Sequence, residues 1–354
     1  MNAGNGALRT VGVVRRPRRG VHVRVCRHWP SDTASIQNAG GMARVDFAVV
    51  GAGAVGGYYA ARLANAGFDV ALVARGAHLE AIRERGLWVW SPLGDLVVHP
   101  RASADPSAIG PADVVLYAVK TYDNPTALPL LGPLVGPDTI VLTLQNGLTS
   151  ADEVGAAVGA EHVLAGPTHI ATAIRAPGLI EQTGTHRRIV FGEMTHASDA
   201  PSARVLALAD RLRRADIQVE AVADARVPLW EKFIYLAPFA AVTGASRQPA
   251  GVVWSTPALR TTLGAAFEET MAIARAEGVP VAPDTLERIH GYMDALPHGT
   301  RSSLLVDLQA GRRIELDALA ADVVRRGARV GVPTPVMATL AATLTPYVAG
   351  TPGD

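Results

Sequence analysis

A run of six apolar-rich residues, Val45–Val50, leads straight into Gly51-Ala-Gly-Ala-Val-Gly-Gly57 and then into a stretch of helical character that ends near Gly67. Few sequences constrain a fold more. A strand followed by Gly-x-Gly-x-x-Gly and a helix needs Gly51 for a tight turn, Gly53 so that the backbone can approach a diphosphate, and Gly56 so that helix packs closely on strand. The free N–H groups at the helix start would then face the phosphates, a glycine-rich turn with no ligand being the alternative. A second apolar strand at 70–74 completes a βαβ unit.

Further strands read at 114–119 and 139–144 with helical segments between, which implies a parallel, doubly wound sheet. From about Val163 the pattern changes. Segments 163–174, 178–182 and 188–191, separated by Pro177-Gly178 and Gly184, read as shorter, antiparallel strands. A helix over Ala203–Arg214 and a strand at 217–222 close this first domain, set at 44–223. After Asp224 only helical period remains, at 227–242, 257–277, 283–295, 300–310, 314–329 and Pro335–Leu344. In the fifth, Leu316, Leu319, Ala320, Val323 and Val324 form one apolar stripe. The expected fold class is therefore α/β, a Rossmann-type doubly wound sheet followed by an all-α helical domain at 224–350 that carries substrate and dimerisation surfaces.

An NAD-preferring site carries an acid at the end of its second strand to bind the ribose 2′-hydroxyl. Here the residues are Ala74-Arg75. An arginine can pair with a 2′-phosphate, which selects NADP(H), although an ordinary surface arginine is the alternative. Only two of the 33 basic residues are lysine, Lys120 and Lys232. Lys120 follows the strand at 114–119 and Asn146 the strand at 139–144, so both share the carboxyl edge of the sheet with Gly51 and Arg75, where open α/β sheets bind ligands. A solvated lysine and an Asn-Gly turn are the plainer readings. Lys232 lies in a segment apolar on nearly every face. Burial lowers a lysine pKa and makes it a candidate general acid, the alternative being a lysine that snorkels out beside Glu231.

Together these residues resemble the ketopantoate (2-dehydropantoate) reductase family, from about Val45 to Val348. The resemblance rests on Gly51-Ala-Gly-Ala-Val-Gly56, Leu72-Val-Ala-Arg75, Ala118-Val-Lys120, Gln145-Asn-Gly147, Leu229-Trp-Glu-Lys-Phe233, Ser302-Ser303 and Glu315-x-Asp317, in the family's order and spacing. It implies NADPH-dependent reduction of a 2-oxo acid to a 2-hydroxy acid, with Lys232 as proton donor to the carbonyl oxygen. Gly51, Ala52, Gly53, Ala54, Val55, Gly56 and Arg75 would hold the cofactor, with Lys120 and Asn146 along its nicotinamide end. Ser303 would bind the substrate carboxylate, and Glu315 would fix substrate and cofactor hydroxyls. Read from the residues alone, Glu315 is a carboxylate in a first helical turn and Ser303 a helix-start polar residue. Where the family carries asparagines beyond the lysine, this chain has Leu236, Ala240 and Ala250. An apolar wall discriminates weakly for a hydroxyl, which points to a more apolar 2-oxo acid or ketone.

Composition narrows the partners. A net charge of +1 with basic clusters only near the N-terminus argues against nucleic acid, and no apolar run reaches the ~18 residues of a membrane helix. A single cysteine, Cys26, and the absence of metal-ligand spacing among ten histidines point to a reducing, cytoplasmic setting and no metal. Residues 1–43 carry seven arginines against Asp32 and are not expected to fold alone. Either they form a leader or translation starts at Met42, three residues before the first strand. Two other functions compete: a non-catalytic NADP(H) sensor, and a short-chain dehydrogenase, whose Tyr-x-x-x-Lys helix does not match Tyr117-Ala-Val-Lys120.

Overall fold

The computed structural model describes residues 44–195 and 198–352, so the leader, Met42 and Cys26 lie outside the described residues. Val45–Val50 is an interior strand of a nine-stranded sheet. Val70–Val73 pairs with it in parallel on one side and Ala112–Tyr117 on the other. Ile140–Thr143 and Val163–Ala165 continue the parallel order outward, and Arg101–Ser103 adds to the opposite edge. The chain thus leaves the centre to one side, then recrosses it, the doubly wound topology expected. Helices cover both faces of these strands. The central strands accordingly read as largely apolar runs: Phe47, Val49, Leu72, Val115 and Leu116 have no exposure.

The stretch after Val163 needs correction. Val163–Ala165 is parallel to its neighbour, and only Thr172–Ala176 with Leu179–Gln182 forms an antiparallel hairpin. Arg188–Glu193 runs antiparallel to Val163–Ala165 and parallel to Gln218–Asp224, which ends the large sheet. The hairpin joins Leu87–Trp90 and Leu96–Val98 in a separate four-stranded sheet. Those strands, of four and three residues, are too short to show a period and escape sequence reading.

This small sheet covers the outer side of the first helix, Ala54–Asn65, which is therefore buried on both sides. Tyr58 and Tyr59 are fully buried, and Gly57 leaves room for Ile180, whose Cδ1 would lie 2.4 Å from any added Cβ. Arg62, 8% exposed, is compensated by an ion pair with Asp216.

The helical half is built around one long helix, Arg226–Ser246, apolar all round because other helices surround it. Pro257–Ala276, Ser303–Gln309, Ala320–Val330 and Pro335–Leu344 pack against it. Fully burying Phe233, Phe239 and Phe267 contributes about 1.5–3 kcal/mol each to folding before entropy is counted. Ala250–Ser255 is a short helix that the sequence did not reveal. The fifth helix begins at Ala320, not at Ile314. Residues 314–319 are instead an irregular segment, because Glu315 is drawn across to the other domain.

Pro335–Leu344 is anchored by Glu269, whose carboxylate accepts from Val336 N at 2.8 Å and Met337 N at 2.9 Å. An anion here satisfies two orphan N–H groups and complements the helix dipole. Glu269→Ala is expected to cost about 1–3 kcal/mol, read as a lowered midpoint in denaturant with an unchanged slope. Among the described residues no helix is long and apolar enough to cross a membrane.

Candidate active site

The three glycines of the first turn differ in what demands them. Gly51 has φ +93°, and a Cβ there would lie 2.7 Å from Val119 N, so the neighbouring strand's turn is pressed against it. A Cβ on Gly56 would lie 2.2 Å from Gly51 O. Gly53 is different: its φ is −71°, open to any residue, and a Cβ would meet nothing within 4 Å. No contact among the described residues requires glycine at this position. The space above it, beside the uncapped first-turn N–H groups of Ala54, Val55 and Gly56, fits the diphosphate of a dinucleotide.

Arg75 follows Val70–Val73 and precedes the helix Gly76–Arg85. Its side chain is 77% exposed and reaches Asp123, with Nη2 3.0 Å from Oδ2.

Lys120 leaves the sheet edge and is caught by the helical domain. Its Nζ donates to Asp307 Oδ2 at 3.0 Å and to Glu315 Oε2 at 2.9 Å. Burial works against the charge, but Glu315 and Asp307 outweigh it and hold the lysine pKa above its ordinary value. The other Glu315 oxygen accepts from Thr121 N at 3.1 Å and Thr121 Oγ1 at 3.2 Å. Glu315, 6% exposed, is thus a buried carboxylate held across the domain boundary and not a residue of a first helical turn. Gly147 lets the same segment approach, since a Cβ there would lie 2.7 Å from Ala318 O.

Lys232 reaches the opposite way, from the long helix to the sheet edge. Its Nζ donates to Asn146 Oδ1 at 2.9 Å and Thr168 O at 3.0 Å. Burial pushes its pKa down from 10.5 to about 8, and the nearby Glu315 charge offsets only part of that. The snorkelling alternative does not hold. A narrow cleft beside Lys232 and Asn146 is walled by Leu229, Phe233, Leu236 and Pro167. Gln145 also borders it, but both ends of its amide are engaged: Nε2 donates to Asn124 and Val119 O, and Oε1 accepts from Ser150. Ala240 and Ala250 are each 1% exposed, sealed in the helical core.

Ser303 is exposed at the start of Ser303–Gln309, one turn before Asp307 on the same face. The helix is capped by Ser302, which accepts from Leu305 N at 3.1 Å and shares a 2.7 Å hydrogen bond with Thr243.

Residues 47–196 match the model of the ketopantoate reductase PanE/ApbA family, and residues 224–348 match that of its C-terminal domain. A 2-dehydropantoate 2-reductase of Mesorhizobium japonicum is 35% identical over 82% of this chain and 93% of its own. The chain belongs to the ketopantoate reductase family. The solved 2-dehydropantoate 2-reductase of Geobacter metallireducens superposes with a TM-score of 0.80, at 31% identity over 85% of this chain and 99% of that one. An uncharacterised Bacillus subtilis oxidoreductase is 29% identical over 86% of this chain and 99% of its own.

Within this ketopantoate reductase fold, Lys120 meets Glu315 and Lys232 meets Asn146, pairings that span the two domains. Sequence reasoning missed Asp307, Thr121, Asp123 and the carbonyl of Thr168. Asp307 had a signal, its i+4 spacing from Ser303 on one helix face. A backbone carbonyl such as that of Thr168 has none.

Proposed function

We propose that the protein is an NADPH-dependent reductase of 2-oxo acids, acting on 2-dehydropantoate or on a more apolar relative. The observation that carries the reading is the half-buried Lys232, whose ammonium is held at the sheet's carboxyl edge by Asn146 Oδ1 at 2.9 Å. When bound, the reduced nicotinamide supplies the hydride that adds to the carbonyl carbon. Lys232 gives its proton to the carbonyl oxygen, becomes a neutral amine and is recharged from solvent. A pKa near 8 places the acid close to working pH, where proton transfer is most efficient. Asn146 aims Lys232 by accepting one of its hydrogens. Gly51 to Gly56 and Arg75 hold the cofactor, Lys120 and Glu315 tie the domains around it, and Ser303 binds the substrate carboxylate.

The wall of Leu229, Phe233 and Leu236 supports an apolar side chain on the substrate, with both ends of the Gln145 amide already engaged elsewhere. The test is NADPH consumption with a panel of 2-dehydropantoate, branched aliphatic and aromatic 2-oxo acids. Turnover is expected, with kcat/KM higher for the apolar members. NADPH binding without turnover of any member would overturn the reading. Leu236→Asn is expected to shift the preference toward 2-dehydropantoate by about tenfold, since a hydrogen-bonding wall discriminates where an apolar one does not.

A further inference from the structure

Arg75 and Asp123 meet over the mouth of the glycine turn. Arg75 follows Val70–Val73, and Asp123 lies in the turn after Ala112–Tyr117. These two strands flank Val45–Val50 on opposite sides. Strands two apart in a sheet stand about 10 Å from each other. A side-chain contact between them therefore passes over the carboxyl end of the middle strand, where Gly51 and Gly53 lie. The contact is an ion pair of 3.0 Å, with the arginine 77% exposed and the aspartate 24% exposed.

A carboxylate in this place treats the two nicotinamide dinucleotides differently. A 2′-phosphate competes for the Arg75 fork, one nitrogen of which Asp123 already holds, and the aspartate then stands as a like charge beside the phosphate. A 2′-hydroxyl makes no such demand. Arg75 keeps its partner, and the carboxylate has further lone pairs with which to accept from the hydroxyl. We infer that Asp123 sets the cofactor choice of this site: it restrains the preference for NADPH and admits NADH as an alternative. The acid absent from the end of the second strand is in effect returned by the turn after another strand, 48 residues on. The inference rests on Arg75 as the 2′-phosphate contact in the function proposed above.

The carboxylate can be altered without disturbing the turn. Asp123 N donates to Lys120 O at 2.8 Å and Asp123 O accepts from Thr126 Oγ1 at 3.0 Å, both through the backbone. Its side chain caps no N–H of the following helical turn. Asp123→Asn therefore removes charge and little else.

The experiment measures dissociation constants of NADPH and NADH from the full-length protein by nicotinamide fluorescence, for wild type, Asp123→Asn and Arg75→Ala. Wild type is expected to bind both. Asp123→Asn should tighten NADPH about fivefold, the few-fold scale of an exposed ion pair, and leave NADH unchanged or weaker. Arg75→Ala should weaken NADPH alone. An unchanged NADPH/NADH ratio in Asp123→Asn, or an equal shift of both constants, overturns the inference, as does failure of wild type to bind NADH. Cofactor binding without reduction of any 2-oxo acid would refute the proposed reaction and still leave the ratio to decide this point. Binding of neither dinucleotide would refute both.

Discussion

Lys232→Ala is expected to lower kcat for 2-oxo acid reduction about 10²–10⁴-fold, the usual loss when a positioned proton donor is removed. The loss should appear in kcat and kcat/KM alike, because the proton moves only in the transition state. Lys232→Arg should not rescue it, since a guanidinium stays charged and cannot give up its proton. The pH profile carries the sign. With the pKa near 8, kcat/KM for reduction is expected to be level below that value and to fall above it. Oxidation of the hydroxy acid, which needs the neutral amine as base, should rise through the same range.

Stability responds to the same group in a predictable direction. The unfolded chain holds the Lys232 proton up to pH 10.5 and the folded chain only to about 8. Between these values the unfolded state carries more protons, so stability gains with rising pH, and below pH 8 the buried charge is a standing cost. Lys232→Met is therefore expected to melt at pH 7 no lower than wild type while remaining inactive. Turnover within about tenfold of wild type in any of the three variants would remove Lys232 from the mechanism.

The second large effect concerns the glycine turn, where two similar substitutions should fail for opposite reasons. Gly53→Val enters open space with an ordinary φ, so only its weaker N-cap should count, lowering stability by no more than about 1 kcal/mol. Its affinity for NADPH should nonetheless drop at least tenfold, a loss of about 1.4 kcal/mol, because the backbone can no longer approach a diphosphate. Gly56→Ala drives a Cβ to 2.2 Å from Gly51 O and should destabilise the fold itself by ~1–3 kcal/mol. Titration with NADPH together with thermal melts separates the two. Tight NADPH binding by Gly53→Val would mean that the cofactor does not lie against this turn.

Much of this molecule is legible in local sequence. The glycine turn needs only a strand, three small residues and a helix in succession, and the parallel strands announce themselves as apolar runs. The positions of Lys120, Asn146 and Arg75 at strand ends follow from those runs, and the family motifs come in an order that the fold preserves. Periodicity failed where an element was short, as in Leu87–Trp90, or where a distant partner overrode it, as at Glu315.

What the tertiary structure alone decided is who meets whom. Lys120 finds Asp307 and Glu315 at separations of 187 and 195 residues, and Lys232 finds Asn146 at 86. Apolar periodicity records which face of an element is buried, a property each segment carries by itself. An ion pair between domains depends on how two packed bodies are set against each other, to within an ångström, and no local pattern encodes that. So the sequence determined a dinucleotide fold and its candidate chemistry. Packing decided that one lysine would be set against Asn146 and the carbonyl of Thr168, the other fastened between carboxylates, and Arg75 paired with Asp123 at the mouth of the glycine turn.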